Sequence, residues 1–157
     1  MGSDEERKRA LARAYRLLSI RSRSDQELRR ALGRAGFSES TVEQVCSQLR
    51  QQRLLDDREF AVDWTQSRMQ SRPRGKRLIE RELRTRGVAD EDAAAATSDI
   101  DDDATALALA RRRARLMQGL DRQTFVRRLS NYLYARGFSG ETVSRAVTAV
   151  LSSTDDS

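Results

Sequence analysis

Histidine is absent, and Cys46 is the only cysteine. No imidazole base is therefore available for a triad or dyad. One thiol can build neither a Cys/His zinc site nor an intrachain disulfide. Proline occurs once, at Pro73, and aromatic residues make up only 5% of the 157. No apolar run approaches the roughly 18 residues that cross a bilayer. The first ten residues mix acids and bases without an apolar stretch, so no secretory leader is expected. Glu6 stands where a myristoylation signal wants Ser or Thr. Met1-Gly2-Ser3 reads as an expression scar outside the fold. What is present is charge: 30 Lys+Arg against 24 Asp+Glu, net +6, with 38% hydrophobic residues. That balance predicts a basic, helical, cytoplasmic protein.

Arg, Ala, Leu, Gln and Glu dominate, and strand formers never alternate cleanly. The chain reads as all-α. Three segments share one pattern: Leu28, Leu32, Gly36, Phe37; Ile79, Leu83, Gly87, Val88; and Leu129, Leu133, Gly137, Phe138. The glycines lie 51 and 50 residues apart. Each suits a helix C-terminus, where a left-handed residue without a Cβ is favoured. Downstream, apolar residues recur at +5, +8 and +12 from the post-glycine position. They are Val42, Val45, Leu49; Ala93, Ala96, Ile100; and Val143, Ala146, Val150. That spacing is one helix face. Ser38 and Ser139 precede acids and read as N-caps. Upstream, an earlier amphipathic helix carries Leu11, Ala14, Leu17 and Leu18, then Phe60, Ala61 and Trp64, then Leu107, Ala108 and Leu109 running toward Leu116. The expected architecture is three tandem three-helix repeats, 4–53, 54–100 and 101–151, in an elongated, curved array. A frayed tail is expected over 152–157.

Charge is uneven. Between Arg68 and Arg86 stand eight bases (Arg68, Arg72, Arg74, Lys76, Arg77, Arg81, Arg84, Arg86) and two acids. A helical wheel places Arg74, Arg77, Arg81 and Arg84 in one stripe about 80° wide, roughly opposite Leu78, Ile79 and Leu83. A solvated face is one reading of such a stripe. A surface for phosphates or carboxylates is the other, since guanidinium forks suit both. A second run, Arg111-Arg112-Arg113-Ala114-Arg115, points around its helix and reads as solvated. Trp64 falls on the Phe60/Ala61 face and reads as core. Arg68 extends that face by a turn, as a pinned structural arginine or a ligand. Asp56 and Asp57 read as caps of the helix they precede, with metal binding a distant second. Cys46 reads as an inert small residue; Tyr132 and Tyr134 read as packing residues, with base stacking the weaker alternative. No Gly-rich phosphate loop, activated nucleophile or carboxylate cluster appears. A protein without catalytic activity, cofactor or metal is expected.

The stretch Leu54-Leu55-Asp56-Asp57-Arg58-Glu59-Phe60-Ala61-Val62-Asp63-Trp64-Thr65-Gln66-Ser67-Arg68 resembles the hallmark of bacterial RecX regulatory proteins. So do Arg74-Gly75-Lys76-Arg77-Leu78, Glu82-Leu83 and Gly87-Val88 after it, the opening Ala14 to Leu18 and Ser24 to Leu32, and the closing Leu133 to Phe138. The resemblance spans about residues 10–151. It departs in the loop Gln70 to Arg74, where relatives often carry more glycine. It gives Leu55, Asp56, Asp57, Phe60, Ala61, Trp64, Arg68, Gly75, Leu83 and Gly87 a structural role as motif residues. It implies three three-helix repeats in a curved module bound within the groove of the RecA filament on single-stranded DNA. It also implies restraint of RecA's ATP hydrolysis, strand exchange and the coprotease activity behind the SOS response. The repeat pattern reaches the architecture without the family; RecA comes from the resemblance alone. Combined, the two make Arg72, Arg74, Lys76, Arg77, Arg81 and Arg84 the candidate surface for the filament or DNA phosphate. The rivals are a nonspecific DNA-binding module and a plain helical scaffold. The third helices hold few bases (Arg50, none over 89–99, Arg145), which argues against reading a major groove. A monomer is the default.

Overall fold

The computed structural model describes residues 2–155. Among these the chain forms nine helices and no strand. They are α1 (Gly2–Ile20), α2 (Asp25–Arg34), α3 (Glu39–Gln51), α4 (Asp57–Ser71), α5 (Lys76–Thr85), α6 (Asp90–Thr97), α7 (Asp102–Arg115), α8 (Arg122–Ala135) and α9 (Gly140–Asp155). The all-α class and the tandem triplets read from the repeats are what the chain adopts. Among the described residues no helix is long and apolar enough to cross a membrane.

The second helix of every triplet ends the same way. Gly36, Gly87 and Gly137 have φ of +94°, +83° and +88°. The N–H of the next residue reaches back five positions, Phe37 to Leu32 (3.2 Å), Val88 to Leu83 (3.1 Å) and Phe138 to Leu133 (3.3 Å). This closure satisfies carbonyls that a helix end leaves open, and a glycine accepts the left-handed turn without strain. Ser38 and Ser139 then cap the third helices, accepting from the Thr41 and Thr142 N–H groups at 3.3 Å. Ser24 begins α2 with a full capping box: its hydroxyl accepts from the Glu27 N–H, and the Glu27 carboxylate accepts from the Ser24 N–H. Such reciprocal bonds satisfy two donors at once.

The chain divides into two compact units. The first runs to Thr65 and adds Glu82–Ala96; the second holds Gln66–Arg81 and everything from Thr97 on. The division passes through α4 and α5, so the second triplet is shared. In the first unit Leu28, Leu32, Val45, Cys46 and Leu49 are fully buried with Ala10 and Ala14 of α1. In the second, Leu129 and Leu133 of α8 meet Ala106 and Ala110 of α7 and the Val143, Ala146, Val147, Val150 face of α9.

Several details differ from the sequence reading. Gly2 and Ser3 are helical, the first residues of α1; Met1 lies outside the described residues. α6 stops at Thr97, so Ile100 lies beyond the helix, whereas Leu49 and Val150 lie within theirs. Ser98 and Asp99 follow Thr97, and short polar side chains compete with the helix for backbone groups. The buried face of α7 is Ala106, Leu109 and Ala110; Ala108 is exposed. Leu116 lies past the helix end and is 77% exposed. α9 continues to Asp155, into the stretch read as a frayed tail, with the Thr154 hydroxyl bonded to the Val150 carbonyl at 2.8 Å. Asp156 and Ser157 lie outside the described residues.

Candidate functional site

α5 is amphipathic by spacing. Ile79 and Leu83 are fully buried, while Arg77, Arg81 and Arg84 are exposed. These three stand at i, i+4 and i+7, one helix face. Arg74 is not part of that face, because α5 begins at Lys76. It sits half-buried in the preceding loop, where its Nε donates to the Arg72 carbonyl at 2.9 Å. The stripe is therefore one arginine shorter than the wheel suggests. Arg72 is exposed and Lys76 half-buried. Arg84 pairs with Asp90 at 2.9 Å. Arg77 makes no ion pair or side-chain hydrogen bond among the described residues.

The start of α5 is fixed from two sides within the second unit. The Lys76 N–H donates to the Asp102 carboxylate at 3.0 Å, from the first residue of α7. The Gly75 N–H donates to the Arg136 carbonyl at 2.8 Å. Gly75 lies so close to the α8–α9 corner that an added Cβ would sit 2.5 Å from the Gly137 oxygen. A Cβ on Gly137 would in turn sit 2.6 Å from Cβ of Leu78. The first unit repeats the arrangement. The Asp25 N–H, at the first residue of α2, donates to the Asp57 carboxylate at 2.8 Å. The Ser24 hydroxyl donates to the Arg86 carbonyl at 2.7 Å. A Cβ on Gly87 would sit 2.6 Å from Cβ of Gln26. In both units the N-terminus of one triplet's second helix is held by the next triplet: its first helix supplies an Asp, its corner a glycine.

The paired aspartates thereby divide their roles. Asp56 caps its own helix, accepting from the Arg58 N–H at 2.9 Å. Asp57, read as another cap of α4, serves α2 instead. Asp101 and Asp102 follow suit: Asp101 accepts from the Ala104 N–H at 3.1 Å, and Asp102 serves α5. Burial raises the Asp57 carboxyl above its ordinary value, with Asp25, Asp92 and Asp56 adding to the rise. A carboxyl raised in the fold supports it fully below its unfolded pKa and loses that support as pH climbs through the folded pKa. Asp57→Asn keeps an oxygen for the Asp25 N–H and removes the charge. It should match the parent in urea melts at about pH 3, below the ordinary Asp value, and exceed it at pH 7. Asp57→Ala should fall below Asp57→Asn by about 1 kcal/mol, having left a donor unpaired. An Asn variant weaker than the parent at pH 7 would refute this account of the carboxylate.

The other motif residues support the helices. Leu55, Phe60, Ala61 and Leu83 are buried. Trp64 is half-buried, its ring 5.9 Å from that of Phe60. The Arg86 guanidinium covers it at 3.9 Å from the ring centroid and also donates to the Glu82 carbonyl. Arg86, part of the basic run in sequence, is thus engaged in packing. Arg68 is half-buried. Cys46 is buried and its thiol is pushed up to about 11 by that burial, which makes it unreactive. Tyr134 is exposed, and Tyr132 is half-buried beneath Arg113 and Arg136. In the third helices, Arg50 pairs with Asp25 and Glu43, and Arg145 with Asp103 and Glu141.

The RecX first, second and third three-helix domains match residues 10–49, 56–96 and 101–147. The regulatory protein RecX of Prosthecochloris aestuarii is 35% identical over 149 residues, covering 95% of this chain and 98% of that protein. The one from Amycolatopsis mediterranei is 36% identical, covering 86% and 79%. Among solved structures, RecX from Lactobacillus salivarius superposes with a TM-score of 0.83 at 18% identity, over 93% of this chain and 97% of that one. A second regulatory protein RecX gives 0.81 at 21% identity, over 92% and 73%. With all three of its domains present in order, the chain belongs to the RecX family of regulatory proteins.

Proposed function

We propose that this chain is a non-enzymatic, cytoplasmic regulator that binds the RecA filament on single-stranded DNA and lowers RecA activity: ATP hydrolysis, strand exchange, and the coprotease function that induces the SOS response. The observation that carries the reading is family membership across all three domains. The exposed face of Arg77, Arg81 and Arg84, with Arg72, Arg74 and Lys76 at its approach, is the surface we assign to the acidic groove or to DNA phosphate. Exposed charge of one sign speeds association and makes it salt-sensitive. Direct reading of a DNA groove by the third helices is disfavoured because α6 carries no base and α3 and α9 carry one each, Arg50 and Arg145.

The test is RecA's ATP hydrolysis on excess single-stranded DNA. Added protein should lower it by a fraction that persists when the DNA is doubled. Inhibition that disappears on doubling the DNA would mean that the protein only sequesters DNA. No inhibition at all would leave a scaffold.

A further inference from the structure

The second unit contains a groove of about 380 Å³ that the α5 face does not use. Its walls are the turn after α4, the last turns of α7, and the end of α8. Five arginines line it, Arg72, Arg112, Arg113, Arg115 and Arg136, and no carboxylate does. The contrast with the first unit is direct. There a groove of about 520 Å³ sets Arg29 and Arg50 against Asp25, to which both are paired.

The run Arg111 to Arg115 looked solvated because successive residues point around a helix. Long side chains overcome part of that divergence. Three of its four arginines reach one space and meet Arg72 and Arg136 arriving from other elements. Arg113 and Arg136 both lie over Tyr132, 4.9 and 5.1 Å from its ring centroid. Their charges are therefore no further apart than about a Debye length at 0.1 M salt, ~10 Å, so they repel. The negative ends of α7 and α8 favour cations at each site separately. The Arg136 guanidinium also donates to the Pro73 carbonyl at 3.4 Å, which holds it beside Arg72 but offsets no net charge; an anion would.

Apart from Ser71, the remaining lining is apolar or planar: Leu109, Leu116, Pro73 and the Tyr132 ring. Leu116 is 77% exposed although large and apolar. We propose that this groove binds a nucleotide unit, its phosphate oxygens on the guanidinium forks and its base against the exposed Leu116. Alternating cations and stacking surfaces suit phosphates and bases in turn. An acidic peptide fits less well. It brings backbone N–H donors, and the only side-chain acceptors in the lining are the hydroxyls of Ser71 and Tyr132.

The test uses the full chain without RecA, so its failure and that of the RecA reading are separable. A fluorescent oligo-dT is titrated by anisotropy, with ATP, tripolyphosphate and polyglutamate as competitors. R112E/R115E should weaken oligo-dT binding about tenfold or more. The control R30E/R34E, on exposed positions of α2, makes the same charge change and should shift it less than about twofold. Leu116→Ala should weaken oligo-dT and leave tripolyphosphate competition unchanged. Helicity by circular dichroism confirms that each variant folds. Competition by ATP would show that a free nucleotide suffices; competition by oligonucleotide alone would show that the unit must belong to a strand. Absence of binding by the parent, equal losses in both charge variants, a Leu116→Ala variant as tight as the parent, or polyglutamate competing as well as oligo-dT would each overturn the proposal.

Discussion

Alanine at Gly137 is expected to cost about twice as much stability as alanine at Gly36. Both residues end the second helix of a triplet at positive φ, so both variants carry the left-handed penalty, roughly 1–2 kcal/mol. Their surroundings differ. A Cβ at Gly36 meets nothing within 4 Å, whereas one at Gly137 would sit 2.6 Å from Cβ of Leu78. Forcing that space adds about 1–3 kcal/mol of overpacking. Gly87 should behave like Gly137, because Gln26 occupies the same position against it. Gly75→Ala isolates the crowding, since it incurs no left-handed penalty yet would press on the Gly137 carbonyl. The physical origin is the order of the repeats. Gly87 and Gly137 each receive the second helix of the triplet before them, and Gly36 receives no such helix among the described residues. Urea denaturation of the four variants would check this. Equal losses at Gly36, Gly87 and Gly137 would contradict the interlocking of corner and helix start.

The second large effect is on binding. Reversing Arg77 and Arg81 to Glu together should weaken association with the RecA filament by about tenfold to a hundredfold, chiefly through the association rate, and flatten its salt dependence. Both residues lie on the exposed face of α5, opposite the buried Ile79 and Leu83. Circular dichroism and the urea midpoint would establish that the fold is kept. Unchanged affinity in a folded double variant would remove this face from the mechanism.

Much of the fold was legible because the repeats show it three times. The Gly corner, the apolar positions after it and the Ser38 and Ser139 caps are each set by local geometry, and local geometry leaves a local pattern. The capping box at Ser24 went unread, although the Ser-x-x-Glu spacing to Glu27 carries its signal. What else escaped depends on partners distant in sequence. Asp57 bonds to Asp25, 32 residues away, and Lys76 to Asp102, 26 away. Only the recurrence of an Asp-Asp pair at 56–57 and 101–102 hinted at a shared role. Arg86 resembled its basic neighbours until Trp64 was found beneath it. Arg74 fell on the wheel's stripe because a wheel assumes a helix, and the helix starts two residues later.

The most direct test of the central claim compares binding to RecA filaments assembled on single-stranded DNA with ATP against binding to bare single- and double-stranded DNA, at two salt concentrations. The proposed function predicts filament affinity at least about tenfold above either bare DNA at the higher salt, where nonspecific phosphate contacts fade. Equal affinity for filament and bare DNA, falling steeply together with salt, would contradict it and make the protein chiefly a nucleic-acid binder.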